Sequence, residues 1–90
     1  MKKQIETLEI KGSRWFQKSY GNTYHTVIIT VNGEKFKSGI TYGYGNHYLQ
    51  TAIDMLRENG YQLPVNNMDA YALMLRYPHQ VIDVKRMKDL

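Results

Sequence analysis

The chain has no cysteine at all among its 90 residues, and only two prolines. The first absence excludes a disulfide framework and any thiolate metal site, and it fits a reducing compartment. No apolar run approaches the roughly 20 residues needed to span a membrane, so no membrane partner is expected. Met1-Lys2-Lys3 is followed by Gln, Glu and Thr rather than an apolar segment, so a signal peptide is not expected either. Acidic residues are scarce in the first half. Residues 1–45 hold seven Lys/Arg against three Glu, whereas residues 46–90 hold five of each sign, so the formal charge of +4 sits in the first half.

Catalytic signatures are missing too. The chain has no G-x-S-x-G, no cysteine nucleophile and no close carboxylate pair in the strand-rich half. Asp54 and Glu58 stand four apart beside Arg57, the pattern of a solvated helix face. His25, His47 and His79 lack a second ligand at a metal-binding spacing, and there is no HExxH. The expectation is a non-enzymatic protein without metal or cofactor. His25 is expected at the rim of the core with one hydrogen bond.

What the chain has is tyrosine, eight in all, with one tryptophan and a strongly patterned stretch from Trp15 to Tyr61. Asn32-Gly33 between strand-like runs marks a two-residue hairpin, because both residues accept positive φ. Gly21-Asn22 reads as a second such turn. If both turns are tight, Val31 faces Glu34, Ile29 faces Phe36, Phe16 faces Val27 and Trp15 faces Ile28. Side chains alternate along a strand, and opposite residues share a face. One face then carries Phe16, Tyr20, His25, Val27, Ile29, Val31, Phe36, Ile40 and Tyr42. The other carries Trp15, Gln17, Ser19, Tyr24, Thr26, Ile28, Thr30, Lys35, Lys37 and Thr41.

The first face is the predicted core. Leu49, Ala52, Ile53 and Leu56 recur at helical spacing and supply its cover. Asn46 is the predicted N-cap, Gly60 the stop, and Tyr61 folds back on the helix end. A second helix over residues 68–76 is capped by Asn67, carries Met68, Tyr71, Ala72 and Leu75 on one face, and is ended by Pro78. Residues 4–11 and 80–87 read as terminal strands, with Gly12-Ser13 as a bulge or turn after the first. The fold class is α+β: one domain over residues 1–90, an antiparallel sheet of a three-strand meander plus terminal strands, with two helices on one face. A chain of this size buries roughly 60–65% of its unfolded surface, so dimerisation would add useful burial.

Two stretches carry the functional expectations. Trp15, Tyr24 and Ile28 stand on the non-core face among Lys35 and Lys37, an aromatic and apolar centre with a basic rim. Tyr42-Gly43-Tyr44-Gly45-Asn46 runs into the first helix, where free backbone N–H groups can hold an anion and tyrosines can stack on a ring. Gly43-x-Gly45 lacks the third glycine of a dinucleotide fingerprint and the Lys-Ser/Thr of a P-loop. A turn that needs glycine for its backbone explains it as well.

The order of three strands and a helix with a basic sheet is similar to a double-stranded RNA-binding domain. It departs from that family in lacking the leading helix, and Asn46-His47-Tyr48-Leu49 stands where the family has a lysine pair, so no binding residue carries over. Arg14-Trp15-Phe16, Gly21-Asn22-Thr23-Tyr24-His25, Tyr42-Gly43-Tyr44-Gly45 and Gln50-Thr51-Ala52 resemble small uncharacterised phage-encoded proteins, over residues 14–61. That resemblance implies a phage or prophage origin, work in the host cytoplasm, and an inhibitory or anti-defence role. The expected partner is a host protein docked on the Trp15/Tyr24/Ile28 face. The alternatives are a nucleic acid or nucleotide, bound by the basic strand half or the Tyr42–Asn46 loop, and a second copy of the chain.

Overall fold

A computed structural model describes residues 3–43 and 45–90. Five strands and two helices follow in the order β1 (Leu8–Gln17), β2 (Asn22–Val31), β3 (Glu34–Lys37), β4 (Thr41–Tyr42), α1 (His47–Glu58), α2 (Asn67–Met74) and β5 (His79–Val84), with a 3₁₀ turn at Met87–Asp89. The architecture is α+β. The sheet runs β3-β2-β1-β5, with β4 also on β2. It is mostly antiparallel, but the last strand, expected to extend an antiparallel sheet, lies parallel to β1, so the sheet is mixed.

The Asn32-Gly33 hairpin forms as read, with φ of 50° and 85°, and pairs Val31 with Glu34 and Ile29 with Phe36. The other hairpin differs. Gly21-Asn22 is not its turn: Lys18–Gly21 make a four-residue turn, closed by the Tyr20 and Gly21 N–H groups on the Gln17 carbonyl. Asn22 already belongs to β2, opposite Gln17. Trp15 therefore faces Tyr24 rather than Ile28, and Ile28 faces Lys11. The slip is an even number of residues, so every side chain of β1 keeps its predicted face.

β1 is one continuous strand. Gly12 is neither a bulge nor a turn but a close contact: a Cβ there would lie 2.8 Å from Cδ2 of Tyr48 in the first turn of α1. The core forms between β1, β2 and the helices, with Ile10, Val27, Ile29, Val31, Leu49, Ala52, Ile53 and Leu56 fully buried. Phe16, Tyr20 and Ile40, expected in that core, are exposed. Phe16 lies past the start of α1, Tyr20 is in the turn, and Ile40 is in the break between β3 and β4.

α1 ends as expected. The Tyr61 N–H reaches the Leu56 carbonyl and the Gly60 N–H that of Arg57, which buries Tyr61 against the helix end. Its start does not, since Asn46 makes no side-chain cap. α2 is capped by Asn66, not Asn67, through Met68 N. Its buried side chains are Ala70 and Met74, whereas Met68 and Leu75 are exposed. Of the expected face only Tyr71 packs against the core, beside Ala70 and Met74; the face turned inward is set by how α2 docks, not by its cap. The last strand begins at His79 and ends at Val84, short of Met87.

Residues 3–7 do not cross the sheet. Lys3 bonds to Gly60 and Gln62, and the Asn32 side chain accepts from the N–H groups of Glu6 and Thr7 and donates to the Gln4 carbonyl. The segment clasps the hairpin turn to the end of α1, at the opposite end of β1 from Trp15.

Candidate functional site

The side of the sheet away from the helices has no covering element among the described residues. β1 and β2 place Trp15 and Tyr24 in direct register there. Their rings stack with centroids 6.1 Å apart and planes at 26°. Tyr42 joins them, contrary to its predicted place in the core. Across the break at residues 38–40 the pairing gains one residue: Lys37 opposes Ile28 but Tyr42 opposes Tyr24. One extra residue moves a side chain to the other face. The Tyr42 ring meets Tyr24 edge-on at 5.7 Å and is 56% exposed. β5 extends the row, with Val84 opposite Trp15 and Ile82 opposite Ser13. The strand itself is expected from residues 80–87, but parallel addition at the sheet edge leaves no local mark in sequence, so the place of these two residues beside Trp15 is not legible there.

Four residues further along the strands the face becomes basic. Ile28 is half-buried between Lys11 and Lys37, with Lys35 beside Thr30. Lys11 is held by Glu9 at 3.1 Å, both exposed, so the pair contributes little energy. Trp15, Tyr24, Ile28, Lys35 and Lys37 thus share one surface as predicted, joined by Tyr42, Ile82, Val84 and Lys11.

The second predicted site is divided. Tyr42 faces the aromatic row. The Gly43 N–H donates to the Thr23 carbonyl, and a Cβ at Gly43 would lie 2.6 Å from the His47 ring, which accounts for glycine there. Tyr44 lies outside the described residues. The Gly45 carbonyl accepts from Arg14 Nη1 at 3.0 Å. The Asn46 side chain donates to the Tyr71 hydroxyl, and its carbonyl accepts from Leu49 N.

His25 is fully buried, not at a rim, and makes two hydrogen bonds. A carbonyl only accepts, so Nδ1–H donates to Gly43 O at 3.2 Å, and Nε2 accepts from the Thr51 hydroxyl at 2.7 Å. This neutral ring ties the loop after β4 to α1. Burial lowers the His25 pKa below the usual histidine range; the Gly43 carbonyl opposes that and the nearby His47 adds to it. In the unfolded chain His25 takes up its proton near pH 6.5, while in the folded chain it resists. Stability is therefore complete above about pH 6.5 and declines as pH falls toward the folded value. Denaturant midpoints between pH 8 and 5 are expected to fall with acid, and His25→Gln to flatten that slope. An equal slope in both proteins would place the acid sensitivity elsewhere.

Among the described residues no three His, Asp or Glu side chains gather closely enough to hold a metal ion. No described helix is long and apolar enough to cross a membrane. Comparison with protein-family models, curated proteins and solved structures found no match.

Proposed function

We propose that this chain acts by binding rather than by catalysis, as an accessory or inhibitory protein of phage type that docks on a host protein in the cytoplasm through its open sheet face. The observation that carries this reading is the Trp15–Tyr24–Tyr42 row, cross-strand neighbours on a face that no described segment covers. Ile28, Ile82 and Val84 enlarge the apolar middle, and Lys11, Lys35 and Lys37 border it. Tryptophan and tyrosine dominate interface hot spots because they bury large rigid area at low entropy cost. The fitting partner has an apolar centre flanked by acidic side chains.

Single-stranded nucleic acid is the second reading, favoured by Lys11 and Lys37 on either side of Ile28. Base stacking needs free ring faces. Here Trp15 and Tyr24 stack on each other and Tyr42 abuts Tyr24, so the row offers a continuous apolar surface more than open ring faces.

Immobilised wild type and Tyr42→Ala, exposed to nuclease-treated bacterial lysate, test the reading. Tyr42 is largely exposed, so its truncation leaves the fold intact. A hot-spot loss of about 2 kcal/mol corresponds to roughly thirty-fold weaker capture of one host protein. Capture that survives Tyr42→Ala unchanged rejects the face. Binding of oligonucleotides with a steep salt dependence assigns it to nucleic acid instead. A wild-type dimer that Tyr42→Ala converts to monomer in sedimentation assigns it to a second copy.

A further inference from the structure

On the helix side, the sheet outruns its cover. Tyr48, in the first turn of α1, packs over Gly12. The next side chains of β1 on that side are Arg14 and Phe16, beyond the reach of the helix. They form a cleft of about 520 Å³ with Lys18, Thr23, Gly45, Asp83, Val84 and Lys85. That volume lies within the usual range for small-ligand sites.

The walls are chemically unequal. Phe16 presents an apolar ring that is 54% exposed. Arg14 is only 24% exposed and held in place: Nε and Nη2 donate to Asp83 at 3.0 and 3.5 Å, and Nη1 to the Gly45 carbonyl at 3.0 Å. Asp83 balances the Arg14 charge, so Lys18 and Lys85 leave the cleft with a net positive charge of two. A fixed guanidinium, two mobile ammonium groups and one open aromatic ring suit a ligand with an anionic end and a planar end. The Arg14 fork is taken by Asp83, so the two lysines supply the point charges for a phosphate, the remaining Arg14 N–H groups lie beside them, and the ring offers a stacking surface.

We propose that this cleft binds a small phosphate-bearing ligand with a planar ring, of the mononucleotide class. The site is distinct from the aromatic row, since Phe16 and Tyr42 lie on opposite sides of the sheet; Val84, at the sheet edge, borders both. It moves ligand contact from the backbone of the Tyr42–Asn46 loop to side chains of β1 and the segment after β5.

Thermal unfolding with the four ribonucleoside 5′-monophosphates, their nucleosides and inorganic phosphate tests this. A ligand that binds only the folded state, at a hundred times its Kd, raises the melting temperature of a domain this size by about 10 °C or more. At least one monophosphate is expected to do so, with its nucleoside and inorganic phosphate each giving a much smaller shift at equal concentration. Phe16→Ala, and separately the Lys18→Ala/Lys85→Ala pair, should weaken its binding about ten-fold or more. All three residues are surface positions whose loss spares the core. Tyr42→Ala should leave the shift unchanged, which separates this site from the docking face. The proposal is overturned by a flat response to all four monophosphates, by a shift that survives both variants, or by inorganic phosphate reproducing the whole shift.

Discussion

Ile29→Ala is expected to destabilise the fold by about 2–5 kcal/mol, and Ile28→Ala by clearly less. Adjacent strand residues point to opposite sides of the sheet. Ile29 is fully buried, in register between Ile10 and Phe36 and beneath the apolar stripe of α1. Removing its side chain leaves a cavity in the buried core that also holds Leu49, Ile53 and Leu56, where the surrounding structure relaxes only in part. Ile28 stands between two lysines on the open face, where loss of the side chain leaves solvent-accessible space rather than a void. Net stability of a small domain is of order 5–15 kcal/mol, so the Ile29 loss takes a large share. Urea unfolding should show a lower midpoint at unchanged slope for Ile29→Ala. Equal losses for the two variants would mean that both faces of β2 are covered.

Gly12→Ala is expected to cost about 1–3 kcal/mol despite adding only a methyl group. The backbone at Gly12 is one that other residues adopt, so nothing in its own conformation opposes alanine. Reduced unfolded-state entropy alone would favour the change by about 0.4–1 kcal/mol. The obstacle is Tyr48, whose Cδ2, Cγ and Cβ would stand 2.8, 3.0 and 3.3 Å from the new Cβ. Tyr48 is itself buried at the base of α1, so the ring cannot swing clear without lifting the helix. In a Tyr48→Ala background the same substitution should become neutral or stabilising. A double-mutant cycle by denaturant unfolding measures that coupling. A cost that persists without the Tyr48 ring would contradict the contact.

The local pattern of residues was enough to determine most of the scaffold. Asn32-Gly33 permits one tight turn, and that turn sets the register of β2 against β3. Alternation through Val27, Ile29 and Val31 selects the core face, and Leu49, Ala52, Ile53 and Leu56 select the helix face that meets it. These features are legible because strand and helix periods are properties of short segments. The same alternation put Trp15, Tyr24, Ile28, Lys35 and Lys37 on one surface, and the even slip of the first hairpin left that grouping intact.

Tertiary structure decided the rest. The Lys18–Gly21 turn chose Tyr24 as the neighbour of Trp15, because four-residue and two-residue turns are both compatible with a glycine at position 21. The one-residue break before β4 carried Tyr42 from the core side to the aromatic row, a change of parity that no alternation pattern announces. Asn66 and Asn67 are chemically identical caps, and only the docking of α2 onto the core settled which one serves and which face is buried. β5 joined β1 in parallel through contacts some seventy positions apart in the chain, which placed Asp83 on Arg14 and built the cleft around Phe16. Pairings between distant segments depend on how whole elements pack, and a sequence window holds only one side of each.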